Sequence, residues 1–150
     1  MKPRANYSQV GQKALKSLYP LGGHLAKSPV GKALLDLICM RLSQVNGCAY
    51  CLDMHAKDLR ELGEPEQRLY TLNAWRDTPF FSDKERAALA FAEAVNSCKV
   101  PDDIYEETAK YFTDEELVDL TLNVGAINLW NRLNHVFHPL VGTYEVGQFA

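Results

Sequence analysis

The segment Cys48-Ala49-Tyr50-Cys51-Leu52-Asp53-Met54-His55 holds the residues whose types and spacing point to chemistry. Two thiols three residues apart on a helix share one face and can close a reversible disulfide. If the pair opens a helix, the free N–H groups of the first turn and the positive end of the dipole both favour thiolate over thiol. Such settings draw a thiol from about 8.5 into the range ~3.5–7.5. The dipole by itself favours Cys48, the more N-terminal sulfur. His55, four residues beyond Cys51, lies about 40° round the same face and ~6 Å along the axis. Helical side chains lean toward the N-terminus, so the imidazole is expected to tilt over Cys51 and take its proton, as in other activated Cys–His pairs. Cys48 is two turns from His55, a separation better bridged by water.

The same residues also allow a structural zinc site. That site needs a fourth ligand from Cys39, His135 or His138, brought in by tertiary contact. Cys39, among apolar neighbours, and Cys98, near a helix end, read as inert small core residues. His24, His135 and His138 have no recognisable partner spacing and read as structural.

The elements that must hold these residues read as helices throughout. Residues 8–27 form one or two short helices, bent or interrupted at Pro20 and Gly22-Gly23. Leu34, Leu35, Ile38 and Leu42 repeat at helical spacing between Val30 and Val45. Asn46-Gly47 breaks that helix, Asn46 is a candidate cap for the next, and the helix from Cys48 to Leu62 ends at Gly63. Glu64-Pro65-Glu66 opens a helix to about Trp75. Ser82-Asp83-Lys84-Glu85 and Thr113-Asp114-Glu115-Glu116 are capping boxes, ahead of helices over 86–96 and 117–137. Another helix runs from Pro101 to about Tyr111. The last helix carries apolar residues on most of its circumference, which places it in a core or a subunit interface. No alternating run requires a strand. The expectation is an all-α fold of six to seven helices in a single compact domain over residues 1–150, with the CxxC at the N-terminus of a helix.

The chain has 150 residues, 47% of them hydrophobic, a net charge of −3 and a pI near 5.8. Those values fit a globular protein and argue against a nucleic-acid or anionic-membrane partner. No apolar stretch approaches the ~20 residues of a membrane span, and the N-terminal residues lack the apolar core of a secretory signal, so a cytoplasmic location is expected. In a reducing compartment a close cysteine pair reads as catalytic or metal-binding.

The run from Arg41 through Asn46-Gly47-Cys48-Ala49-Tyr50-Cys51 to His55 resembles the core of the AhpD-like alkylhydroperoxidases, within the carboxymuconolactone decarboxylase family. The segments Glu66–Tyr70, Trp75–Phe81 and Ile127–Asn134 add to the likeness, which covers about Lys32 to Asn134. The resemblance implies that Cys51 attacks a hydroperoxide and becomes a sulfenic acid, that Cys48 resolves it as a Cys48–Cys51 disulfide, and that His55 belongs to a proton relay. The family's glutamate twelve residues before the first cysteine corresponds to Asp36, a carboxylate one methylene shorter, which read alone is a solvated helix charge. Tyr50 stands where the mycobacterial-type enzyme has a second histidine. Trp130 and Asn131 line the pocket by resemblance, although an aromatic on an apolar helix is core by default. The resemblance further implies an oligomer, trimer or hexamer; no cofactor and no metal are expected, and the reductant is expected to be a dithiol or a redox protein. A thiol–disulfide oxidoreductase or redox sensor uses the same site without efficient peroxide turnover. Lactone decarboxylation needs acid–base groups around a dicarboxylate pocket, and no Arg or His constellation supplies them.

Overall fold

The computed structural model describes residues 2–149, all of whose regular elements are helical. Three short helices open the chain: α1 (Tyr7–Val10), α2 (Gln12–Leu15) and α3 (Tyr19–Leu25). Next come α4 (Lys32–Asn46), α5 (Ala49–Glu61) and α6 (Glu66–Thr71), the last running into a 3₁₀ turn over Leu72–Asp77. Three more follow: α7 (Asp83–Asn96), α8 (Asp102–Ala109) and α9 (Asp114–Phe137). The nine α-helical segments among the described residues exceed the six or seven expected. The excess lies in the N-terminal third, where breaks fall at Gly11 and at Lys16–Leu18. Pro20 instead sits in the first turn of α3, where its missing N–H leaves no bond unmade, and Gly22 and Gly23 lie inside the helix.

Both capping boxes form, at Ser82–Glu85 and Thr113–Glu116, so α7 and α9 each begin three residues before the apolar pattern does. Pro65 and Pro101 precede the first turns of α6 and α8 as N-caps. The helix expected up to Trp75 kinks at Ala74, whose φ of −117° is not helical.

α4 is the central element and packs against α5, α7, α9 and the 3₁₀ turn; α9 also touches α3, α5 and α7. Leu37, Ile38 and Leu42 of α4, Leu59 of α5, Leu89 of α7 and Leu120 of α9 are removed from solvent. At roughly 1.5–3 kcal/mol for each fully buried side chain, this cluster anchors the bundle. α9 departs from the expected apolar cylinder. Its inward stripe is Asp119, Leu120, Asn123, Val124, Ile127, Asn131 and Asn134, while Val118, Leu122, Leu129 and Val136 face outward. Trp130 is half-buried. No described helix is long and apolar enough to cross a membrane.

Candidate functional site

The thiol site exists because α4 ends sharply. Gly47 takes the left-handed conformation at φ 70°, closing α4 as an αL cap, and the Cys48 amide donates to the Ser43 carbonyl at 2.9 Å. The chain therefore turns at once into α5, with Cys48 as its N-cap residue and Cys51 in its first turn. Asn46 does not cap α5 as expected. It is the last residue of α4, and its side-chain amide donates to Asn131 Oδ1 at 2.9 Å and Asn128 Oδ1 at 3.2 Å, tying α4 to α9.

Cys48 and Cys51 are buried and reduced, their sulfurs hydrogen-bonded at 2.8 Å. The hydrogen bond shared with Cys51 draws the Cys48 thiol below its ordinary value, against the cost of burial. The Cys51 backbone amide, the Asn134 side chain and the charge of His135 act in the same direction. The same sulfur–sulfur hydrogen bond and burial push Cys51 up, so the pair holds one proton between its two sulfurs.

His55 is buried, and neither ring nitrogen makes a hydrogen bond. The expected imidazole–Cys51 hydrogen bond is absent. Nδ1 instead faces Asp36 Oδ1 at 3.6 Å, across the α4–α5 contact. Asp36 is not the solvated charge its helix position suggested, since its side chain is 14% exposed and its other oxygen accepts from Lys32. Burial raises the Asp36 carboxyl, but His55 and Lys32 outweigh it and hold the group below its ordinary value. Asp36 and His55 are thus brought together, and the shorter carboxylate stops just beyond hydrogen-bond reach.

Asn134 of α9 was missed as a donor to the sulfurs, and Asn131, named only as pocket-lining by resemblance, lies one turn before it. Asn134 Nδ2 lies 3.1 Å from Cys51 Sγ and 3.8 Å from Cys48 Sγ, and its Oδ1 accepts from the Tyr7 hydroxyl at 2.9 Å. Asn131 also favours the Cys51 anion, while its amide donates to Ser43 Oγ at 3.2 Å. Their i, i+3 spacing on a buried face was the available signal, diluted by the apolar residues around them. The remaining histidines and cysteines lie elsewhere. Cys39 is buried against Asn123 Oδ1, His135 Nε2 meets the Asn46 carbonyl at 2.8 Å, and His138 ends α9 in a left-handed turn. His24 pairs with Asp119 at 2.7 Å. Cys98, expected in the core, is exposed in a left-handed turn beyond α7. No group of three or more His, Cys, Asp or Glu among the described residues is arranged to hold a metal, so the zinc alternative finds no fourth ligand.

The profile of the carboxymuconolactone decarboxylase family matches residues 13–94. The uncharacterized protein YdfG of Bacillus subtilis (strain 168) is 37% identical over 137 residues, 89% of this chain and 93% of YdfG. An Agrobacterium tumefaciens protein of unknown function, described as a candidate AhpD antioxidant defence protein, is 36% identical, with a TM-score of 0.89 over 95% of this chain and all of that one. The debrominase Bmp8, solved with 2,3,4-tribromopyrrole, shares the fold at 20% identity, with a TM-score of 0.75 over 85% of this chain and 70% of its own. The chain is an AhpD-like member of the carboxymuconolactone decarboxylase family.

Proposed function

We propose that this protein is a thiol-dependent peroxidase that reduces hydroperoxides with the Cys48–Cys51 pair. The observation that carries this reading is the buried dithiol at the start of α5, its sulfurs in contact at 2.8 Å. The thiolate attacks one peroxide oxygen and the O–O bond breaks. The sulfur becomes a sulfenic acid, and the alkoxide leaves and takes up a proton. The second cysteine then attacks the sulfenate sulfur and water leaves, so the peroxide has gained two electrons and the dithiol has lost them as a Cys48–Cys51 disulfide. A dithiol or a redox protein returns them.

The electrostatics of the reduced pair support Cys48 as the attacking sulfur, the reverse of the order the resemblance implies. His55, with Nδ1 toward Asp36, has its Nε2 on the far side of the ring, where it can take the proton released by the thiol pair and return it to the leaving oxygen. Burial of both sulfurs favours a small peroxide over a bulky protein disulfide, and so favours this reading over the thiol–disulfide oxidoreductase. The outward apolar residues of α9 support a homo-oligomer, trimer or hexamer, which light scattering on the purified protein tests.

The deciding experiment follows hydroperoxide consumption with dithiothreitol as reductant, together with sulfenate trapping by dimedone. Wild type is expected to turn over. Cys51→Ser is expected to accumulate a trapped sulfenate on Cys48. A trapped sulfenate on Cys51 in Cys48→Ser, and none on Cys48, reinstates the opposite order. Absence of peroxide consumption by wild type with any dithiol sinks the peroxidase reading.

A further inference from the structure

Asn134 stands out because it touches both reacting sulfurs from an element other than the one that carries them. It is buried on α9, and its side-chain nitrogen is 3.1 Å from Cys51 Sγ and 3.8 Å from Cys48 Sγ. An asparagine amide has two unlike ends of nearly the same shape: nitrogen turned to the sulfurs donates to an anion, whereas oxygen turned to them would repel it. Something must fix the choice. The Tyr7 hydroxyl, 2.9 Å from Oδ1, does so, provided it keeps its proton and donates it. Burial, with the neighbouring Tyr50 and the two cysteines, pushes Tyr7 up to about 12, so it remains a phenol across the neutral range.

Tyr7 is held in turn by the end of α9. The Arg4 amide donates to the Phe137 carbonyl at 2.9 Å and the Arg4 guanidinium to the Val136 carbonyl at 2.8 Å. The Tyr7 ring packs against Phe137 with centroids 5.5 Å apart. The N-terminal segment, otherwise largely exposed and spanning short helices, is therefore tied down at the point where it meets the thiol site.

We propose that Asn134 is a third catalytic residue of the thiol site, donating its side-chain amide to the sulfur pair, and that Tyr7 is the positioning residue that keeps the nitrogen end of that amide turned toward the sulfurs. This rests on the thiol chemistry proposed above but not on peroxide as the oxidant. A hydrogen bond to a charged group is worth about 1.5–3 kcal/mol, which corresponds to a shift of about 1–2 pH units in the ionisation of the group it contacts. The other titratable groups around the pair are Tyr50 on α5, His135 on α9 and the Asp36–His55 pair between α4 and α5, and none of them changes in the variants below.

The test measures the pH dependence of thiolate absorbance and of iodoacetamide alkylation on the reduced full-length protein, without peroxide. Asn134→Ala is expected to move the ionisation midpoint of the pair upward by about 1 pH unit or more. Asn134→Asp, which puts an oxygen at the same place, is expected to move it further. Tyr7→Phe, which keeps the ring against Phe137, is expected to shift it in the same direction by less, because the amide is then free to turn over. Circular dichroism separates these shifts from loss of fold, and Tyr7→Phe carries the test if Asn134→Ala does not fold. An ionisation curve for Asn134→Ala or Tyr7→Phe that superimposes on wild type overturns the proposal. Because alkylation needs no hydroperoxide, a protein that shows these shifts but consumes no peroxide leaves Asn134 in its role and rejects the peroxidase reading alone.

Discussion

Two histidine–aspartate pairs sit in this molecule, and they are built to opposite specifications. His24 and Asp119 pin α3 to α9. The ring nitrogen lies 2.7 Å from one carboxylate oxygen, the Ser28 hydroxyl donates to the other at 2.5 Å, and Asp119 is buried with every polar atom engaged. His55 and Asp36 lie between α4 and α5 at 3.6 Å, with both imidazole nitrogens buried and unbonded. Buried polar atoms are normally satisfied, and leaving one unsatisfied costs about 1–3 kcal/mol. A pair that is geometrically complete stabilises the fold. One left open, as at His55, leaves the imidazole nitrogens available for the proton-relay role proposed above.

The contrast is sharpest in substitutions that remove one histidine or its counterpart. His55→Leu is expected to lower peroxide turnover by roughly 10²–10⁴-fold while leaving unfolding free energy unchanged or raised by about 1 kcal/mol, since an apolar side chain replaces two buried unbonded nitrogens. Steady-state rates and denaturant melts on the same preparation check it, and a large stability loss with unchanged turnover would reverse the assignment. Asp119→Ala should do the opposite. It strands the buried Ser28 hydroxyl and frees His24, with an expected loss of about 1–3 kcal/mol in urea unfolding and no change in the alkylation rate of the reduced pair.

Acid titration separates the two pairs more gently. The Ser28 hydroxyl lowers the Asp119 carboxyl against burial, with His24 assisting, so its folded value lies below the ordinary 3.8. A depressed acid contributes stability that is complete above its unfolded value and is lost as pH falls through the folded value. Wild type should therefore lose stability below about pH 4, with a shallower decline in Asp119→Ala, measured by melts across the acid range. Reactivity falls at a higher pH: with Cys48 at about 6, alkylation should drop as pH passes below that point. The smallest effect is expected from Lys32→Ala. Its ammonium is half exposed and screened by water, so its ion pair with Asp36 contributes a few tenths of a kcal/mol, readable as a slight rise in the Asp36 titration by NMR.

The sequence made the helices and the reactive pair legible because both are local. Capping boxes at Ser82 and Thr113, the glycine after Asn46, and three-residue cysteine spacing act within one turn of chain. The dipole reading that favoured Cys48 as the thiolate rests on the same local geometry, with Cys48 at the N-cap of α5. What the residue pattern misjudged depends on facing elements. Asp36 by itself read as a solvated charge; the α4–α5 packing turns it toward His55. Asn131 and Asn134 disappeared into an apolar helix, because periodicity reports which face is inward and not what a buried amide meets there. Cys98 read as core because its small side chain carries no positional signal, and it lies instead in an exposed left-handed turn.

From residue types and spacing alone follow an all-helical chain and a dithiol at the head of a helix, since hydrogen bonds and side-chain directions within a single turn dictate both. Only the tertiary structure decided which groups meet the sulfurs. Tyr7 and Asn134 are separated by 127 positions, and Asn134 lies 83 positions beyond Cys51. No local rule links residues so far apart; packing of α5 and of the N-terminal segment against α9 brings their polar atoms within hydrogen-bond reach.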